Sequence, residues 1–241
     1  MFLMNRTALL VTFLLISMIT PGFVFGQAAD PLTAYSDPPS RLQGVIEKFT
    51  EDVGILNRFY TAQTSSNRSA RFKSLYNEQL QLLSSFNFDK LNHDEQIDYV
   101  LFKNYLEHEL KEQDRNDAQF AEMGSLMPFA KVINDLEDTR RKLEFADPAK
   151  SAALLNDLAK QIAATQRSLE GQNAVKPKRT VANRAARTVD SLRRTLRAWY
   201  TFYNAYDPTF TWWCEAPYKS TDEALGKYST FITEKLVGIR A

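Results

Sequence analysis

The chain has 241 residues, 30 Lys and Arg against 29 Asp and Glu, and one cysteine. The near-zero charge balance argues against a general nucleic-acid binder, and a single cysteine excludes an intramolecular disulfide. The length is enough for one large domain or two small ones whose stability rests on an apolar core.

Residues Met1 to Gly26 read as a secretory signal peptide. Arg6 supplies the positive charge, and Ala8 to Ile19 is an apolar run too short for a comfortable membrane span. Pro21 and Gly22 break the run, and Val24 and Gly26 place a cut near Gln27. An uncleaved anchor is the alternative. Cleavage would remove Arg6 alone among the charged residues, leaving basic and acidic residues balanced at 29 each. The expectation is an exported bacterial protein, periplasmic or secreted, with residues 27–241 forming one domain that does not enter the membrane after cleavage.

The rest predicts an all-α helical bundle of six to seven amphipathic helices. Only 8 glycines occur, and no β-branched alternating run appears. Apolar residues recur instead at helical spacing. The first helix is expected over Pro39–Tyr60 and the second over Ser69–Leu83, followed by a buried connector through Phe86, Phe88 and Leu91. The third opens at Asn92, where Asn92 and Glu95 form a capping-box pattern. Its stripe is Ile97, Val100, Leu101, Tyr105 and Leu110, and it ends before Gly124. The fourth spans Pro128–Phe145. The fifth opens on Asp147-Pro148, a cap followed by proline at the first helical position, and stops at Gly171. The sixth runs from Lys178 to Asn204 with Val181, Ala185, Val189, Leu192, Leu196, Trp199 and Tyr203 on one face.

The segment FYNAYDPTFTWWCEAPY, Phe202 to Tyr218, then interrupts the pattern with seven aromatic residues and two prolines. Pro208 and Pro217 predict a proline-bounded aromatic turn before a seventh helix over Thr221–Val237. Two readings stand side by side. In one, the segment packs locally, and Trp212 or Trp213 fills the gap between the last two helices. In the other, Tyr203, Tyr206, Asp207, Trp212, Trp213 and Tyr218 form an aromatic binding surface.

Few residues suggest chemistry. His108-Glu109-Leu110-Lys111-Glu112 begins like a zinc motif but has Glu112 in place of the second histidine. The charged residues around it fit a solvated face. Cys214 has no evident histidine partner. There is no nucleophile elbow and no phosphate-cradling glycine loop. No catalytic residue, metal ligand or cofactor is assigned. Lys178, Arg179, Arg184, Arg187, Arg193, Arg194 and Arg197, against the single acid Asp190, make the sixth helix basic. It reads either as an anion-binding surface or as the partner of the acidic third helix, which carries Asp94, Glu95, Asp98, Glu107, Glu109, Glu112 and Asp114.

The residues Phe202-Tyr203-Asn204, Tyr206-Asp207-Pro208, Phe210-Thr211-Trp212-Trp213 and Pro217-Tyr218 resemble a stretch in the domain-of-unknown-function 885 family of exported bacterial proteins. Leu91, Glu95, Asp98-Tyr99, Asn104-Tyr105 and Leu106 resemble that family's early helices. The resemblance implies the amino-terminal part of a zinc-peptidase-like hydrolase. The downstream His-Glu…Pro-Gly-His segment that supplies metal ligands in that family has no counterpart here. The expected function is therefore a non-catalytic helical domain. Its expected partner is a separate catalytic half, or a second copy through the aromatic turn. The alternative is a periplasmic interaction module that uses the same aromatic residues.

Overall fold

Seven α-helices account for most of the described residues, and no strand occurs among them. The computed structural model describes residues 40–171, 176–204 and 206–239. The expected signal segment lies outside them. No helix among the described residues is long and apolar enough to cross a membrane.

Helix α1 (Gln43–Phe59), α2 (Ser66–Ser84) and the first half of α3 (His93–Glu122) enclose one apolar cluster. Its centre is Leu42, Phe49, Phe72, Leu75, Tyr76, Phe102 and Leu106. Helix α2 begins earlier than the periodicity predicts because the Ser65 hydroxyl accepts from the Arg68 amide at 3.4 Å and caps it. The connector is only partly buried: Leu91 points inward, whereas Phe88 is exposed and packs edge-on against Tyr99.

The capping box of α3 forms as expected. Asn92 Oδ1 accepts from the Glu95 amide at 2.8 Å, and Glu95 Oε2 accepts from the Asn92 amide at 3.0 Å. Arg41 adds a second grip, donating from Nε to Glu95 Oε1 at 2.8 Å and from Nη2 to Oε2 at 3.0 Å. Glu95 is thereby buried and turns one face of α3 inward. Phe102 and Leu106 follow on that face, at i+7 and i+11. The expected stripe is consequently wrong at four of its five positions: Ile97, Val100, Leu101 and Tyr105 lie exposed, and only Leu110 packs against the cluster.

Helices α4 (Ala130–Arg141), α5 (Pro148–Glu170), α6 (Arg179–Asn204) and α7 (Pro208–Phe231) build a larger apolar cluster. Hydrogen bonds report their directions. Cys214 and Thr221 of α7 reach the carbonyls of Pro148 and Leu155, so α5 and α7 run parallel. Arg193 meets Asp222 and Ala186 meets Ser229, so α6 and α7 are antiparallel. The result is an alternating four-helix arrangement. Every expected core residue of α6 is buried.

The aromatic turn contracts. Asp207 accepts from the Thr209 amide at 2.8 Å and caps a helix that starts at Pro208. Pro208 favours that start, because proline at the first helical position sacrifices no hydrogen bond. Pro217 sits inside α7, where it removes one donor. The expected cap Thr221 is buried mid-helix, its hydroxyl 2.8 Å from the Leu155 carbonyl and 2.9 Å from that of Pro217. After α7 a π-helical turn, Ile232–Val237, closes on Gly238 at φ 81°. Arg179 Nε donates to the Val237 carbonyl there at 2.8 Å.

Two stability measurements follow. Leu196 is fully enclosed, so Leu196→Ala should destabilise by roughly 2–5 kcal/mol in chemical denaturation. Arg41 and the Asn92 amide hold the Glu95 carboxyl at about 2, against an ordinary value of 4.5. Its contribution is fully present above that ordinary value and disappears as pH falls towards about 2. Glu95→Gln should therefore be less stable than wild type at neutral pH, and the difference should shrink steadily across that acid window.

Candidate functional site

The least conventional surface is one end of the four-helix arrangement. Helix α4 ends in a Schellman geometry: the Glu144 amide donates to the Thr139 carbonyl and the Leu143 amide to that of Arg140, each at 3.0 Å. Leu143 sits at the left-handed position with φ 59°. Glycine is the usual residue there, because a Cβ in this conformation costs about 1–2 kcal/mol.

The neighbouring elements converge on the same end. Tyr203 of α6 donates its hydroxyl to the Glu144 carbonyl at 2.7 Å. The Arg140 guanidinium lies 5.6 Å over the Phe202 ring. The Cys214 thiol lies 3.5 Å from the Pro148 carbonyl. These contacts bring together the α4–α5 connection, the end of α6 and the start of α7.

The aromatics at this end divide into two groups. Trp199, Tyr203 and Phe210 are buried and packed ring against ring at 5.4–5.7 Å. Tyr218 stacks on Tyr200 at 3.8 Å with nearly parallel planes. The other group faces outward. Tyr206 is 88 % exposed, Phe145 83 %, Trp212 76 %, Leu143 75 % and Trp213 44 %. Trp212 and Trp213 make an edge-on pair at 5.2 Å.

The six candidate residues therefore separate. Tyr203 and Tyr218 hold the scaffold, Asp207 caps α7, and Tyr206, Trp212 and Trp213 remain as surface. Neither tryptophan fills the space between α6 and α7, which Trp199, Phe210 and Cys214 occupy. Leu143 and Phe145 are exposed at the same end although the periodicity placed them inside the fourth helix. Their only sequence signal is two apolar residues just before the Asp147-Pro148 helix start.

Burial pushes the Cys214 thiol up to about 11, which leaves it protonated and unreactive at neutral pH. Among the described residues, no group of three His, Cys, Asp or Glu side chains is placed to hold a metal ion. The basic face of α6 meets α7 at one carboxylate. Arg193 makes a bidentate pair with Asp222 at 2.8 and 2.6 Å, and Arg197 approaches the same carboxylate. The third helix contributes Glu122, which meets Arg184, rather than the acids expected from the sequence.

A polar basin of about 790 Å³ lies between α2, α3 and α6, near Arg68, Lys73, Arg184 and Arg187. Its cations are largely committed. Arg68 donates to the Tyr60 carbonyl at 2.6 Å, Lys73 pairs with Asp114 and Asp117, and Arg184 with Glu122.

Acrylamide quenching should separate the three tryptophans. Trp212 and Trp213 should quench readily, and Trp199 should remain shielded. In the Trp212→Phe, Trp213→Phe double variant, the remaining emission should be blue-shifted and nearly resistant to quencher.

No protein-family model, curated protein or solved structure matches the chain.

Proposed function

We propose that this chain is a non-catalytic helical docking domain of an exported hydrolase-like protein, of the kind its aromatic segment resembles. In this reading its aromatic end packs against a catalytic polypeptide. The observation that carries the proposal is the exposed group Leu143, Phe145, Tyr206, Trp212 and Trp213 at one end of the bundle. Apolar patches of this kind on a monomer mark interaction sites, and tryptophan and tyrosine dominate binding hot spots. Leu143 adds weight. A strained backbone position occupied by an exposed leucine lowers stability without any packing return, a pattern that favours a role in binding.

The catalytic half would be a separate or adjoining polypeptide with a His-Glu…Pro-Gly-His segment. Produced alone, that polypeptide should bind this chain, and Trp212→Ala should weaken the complex by at least about 2 kcal/mol. Leu143→Gly should raise the stability of this chain by up to about 1 kcal/mol, because it relieves the left-handed strain, while also weakening the complex. Equal affinity for wild type and both variants would overturn the proposal, as would chelator-sensitive peptide hydrolysis by this chain alone.

A further inference from the structure

A second apolar surface shares no residue with the aromatic end. Rotation of α3 by Glu95 leaves Ile97, Leu101 and Tyr105 outward, at steps of four along the helix. Leu101 is 62 % exposed. Beside the stripe runs an apolar groove of about 380 Å³ between α1 and α3, lined by Ile46, Thr50, Val53, Leu101 and Tyr105. The same stripe continues into Asp94 at its start and His108 at its end, both exposed.

We infer that this face pairs with a second copy of the chain, α3 against α3 in antiparallel sense, about a two-fold axis at Leu101. The pattern is self-complementary in that arrangement alone. Turning the helix about Leu101 brings Leu101 onto the second copy's Leu101 and Ile97 onto the second copy's Tyr105. Asp94 then meets the second copy's His108, a carboxylate facing an imidazole N–H, and Asp98 meets the second copy's Asn104. A parallel pairing would set Asp94 against Asp94 and Asp98 against Asp98, two like-charge contacts at the amino-terminal end of the stripe. An isologous two-fold contact requires each patch to complement itself, and the antiparallel register meets that condition. Each exposed leucine also lies beside the α1–α3 groove, so the two copies can seat side chains in each other's grooves.

Sedimentation equilibrium of the full chain at tens of micromolar tests this. The expected mass is twice that of one chain, and Leu101→Asp should yield a monomer with unchanged helical circular dichroism. Asp94→Lys and His108→Glu should each weaken the dimer about tenfold, and the two together in one chain should recover it, because the charges are then exchanged. The exchange keeps the inference testable even if Leu101→Asp fails to fold. A monomeric wild type would overturn it. So would a dimer that survives Leu101→Asp but is lost in Trp212→Ala, since the contact would then lie at the aromatic end. A Leu101→Asp variant of unchanged mass but lowered melting temperature would also overturn it, showing that another part of the same chain covers the stripe.

Discussion

The two apolar clusters are tied together by a polar clamp between α4 and the α1–α2 connection. Glu137 is buried on α4, held by Arg140 through two short contacts at 2.6 and 2.7 Å, and accepts from the Thr61 hydroxyl. Asp138, also buried, accepts from Ser65 at 3.0 Å and Asn67 at 2.7 Å. Asn134 donates to the Thr64 carbonyl at 2.9 Å. Arg141 reaches the Phe59 and Arg58 carbonyls at the end of α1. Buried carboxylates are costly when unpartnered, and removing a partner from such a pair costs about 3–5 kcal/mol. The connection is therefore held in one geometry: displacing it would strand Glu137 and Asp138 together. Apolar packing alone specifies geometry less sharply than a set of directional bonds that must all be made at once.

Glu95 is a second fixed point, and it explains both what the sequence discloses and what it conceals. The capping box could be read directly, because it depends on local spacing between Asn92 and Glu95. The inward face of α3 could not. The helix carries two apolar stripes, one with Ile97, Leu101 and Tyr105, the other with Phe102 and Leu106, and periodicity does not rank them. The choice is made in tertiary contacts: Phe102 and Leu106 pack against α1 and α2, and Arg41, more than fifty residues away in sequence, holds Glu95 on the same face. Helix α6 posed no such ambiguity. Most of its apolar residues form one stripe and its arginines lie on other faces, so all seven expected core residues are buried, with Ala182 and Ala186 beside them.

Proline and glycine signals were informative about helix starts and misleading about interiors. Asp147-Pro148 and Asp207-Pro208 both open helices, as a cap followed by proline should. Pro217 reads as a stop but lies within α7, where packing of Cys214, Thr221 and Leu225 against the core outweighs one lost hydrogen bond. The two left-handed helix ends are instructive as a pair. Gly238 accepts its conformation without strain, whereas Leu143 adopts the same region with a branched side chain. Nothing local in the sequence marks Leu143, since a leucine after a helical stretch ordinarily extends it.

The exposed aromatics owe their arrangement to the buried ones. Trp199, Tyr203 and Phe210 interlock, and the Tyr203 hydroxyl ties that group to the α4–α5 connection through Glu144. Asp207 and Pro208 set the direction in which α7 leaves, and Tyr200 and Tyr218 clasp α6 to α7 further along. Trp212 and Trp213 stand on a helix fixed from both sides, and Leu143 and Phe145 on a connection held by a hydrogen bond. A surface ordered before it meets a partner loses little conformational entropy on binding. The same residues placed on a free loop would have to be ordered at the moment of contact, at about 0.5–1.5 kcal/mol for each immobilised side chain. The aromatic segment thus contributes its buried rings to the fold, and the proposed docking would use its outer rings on a surface those buried rings already hold in place.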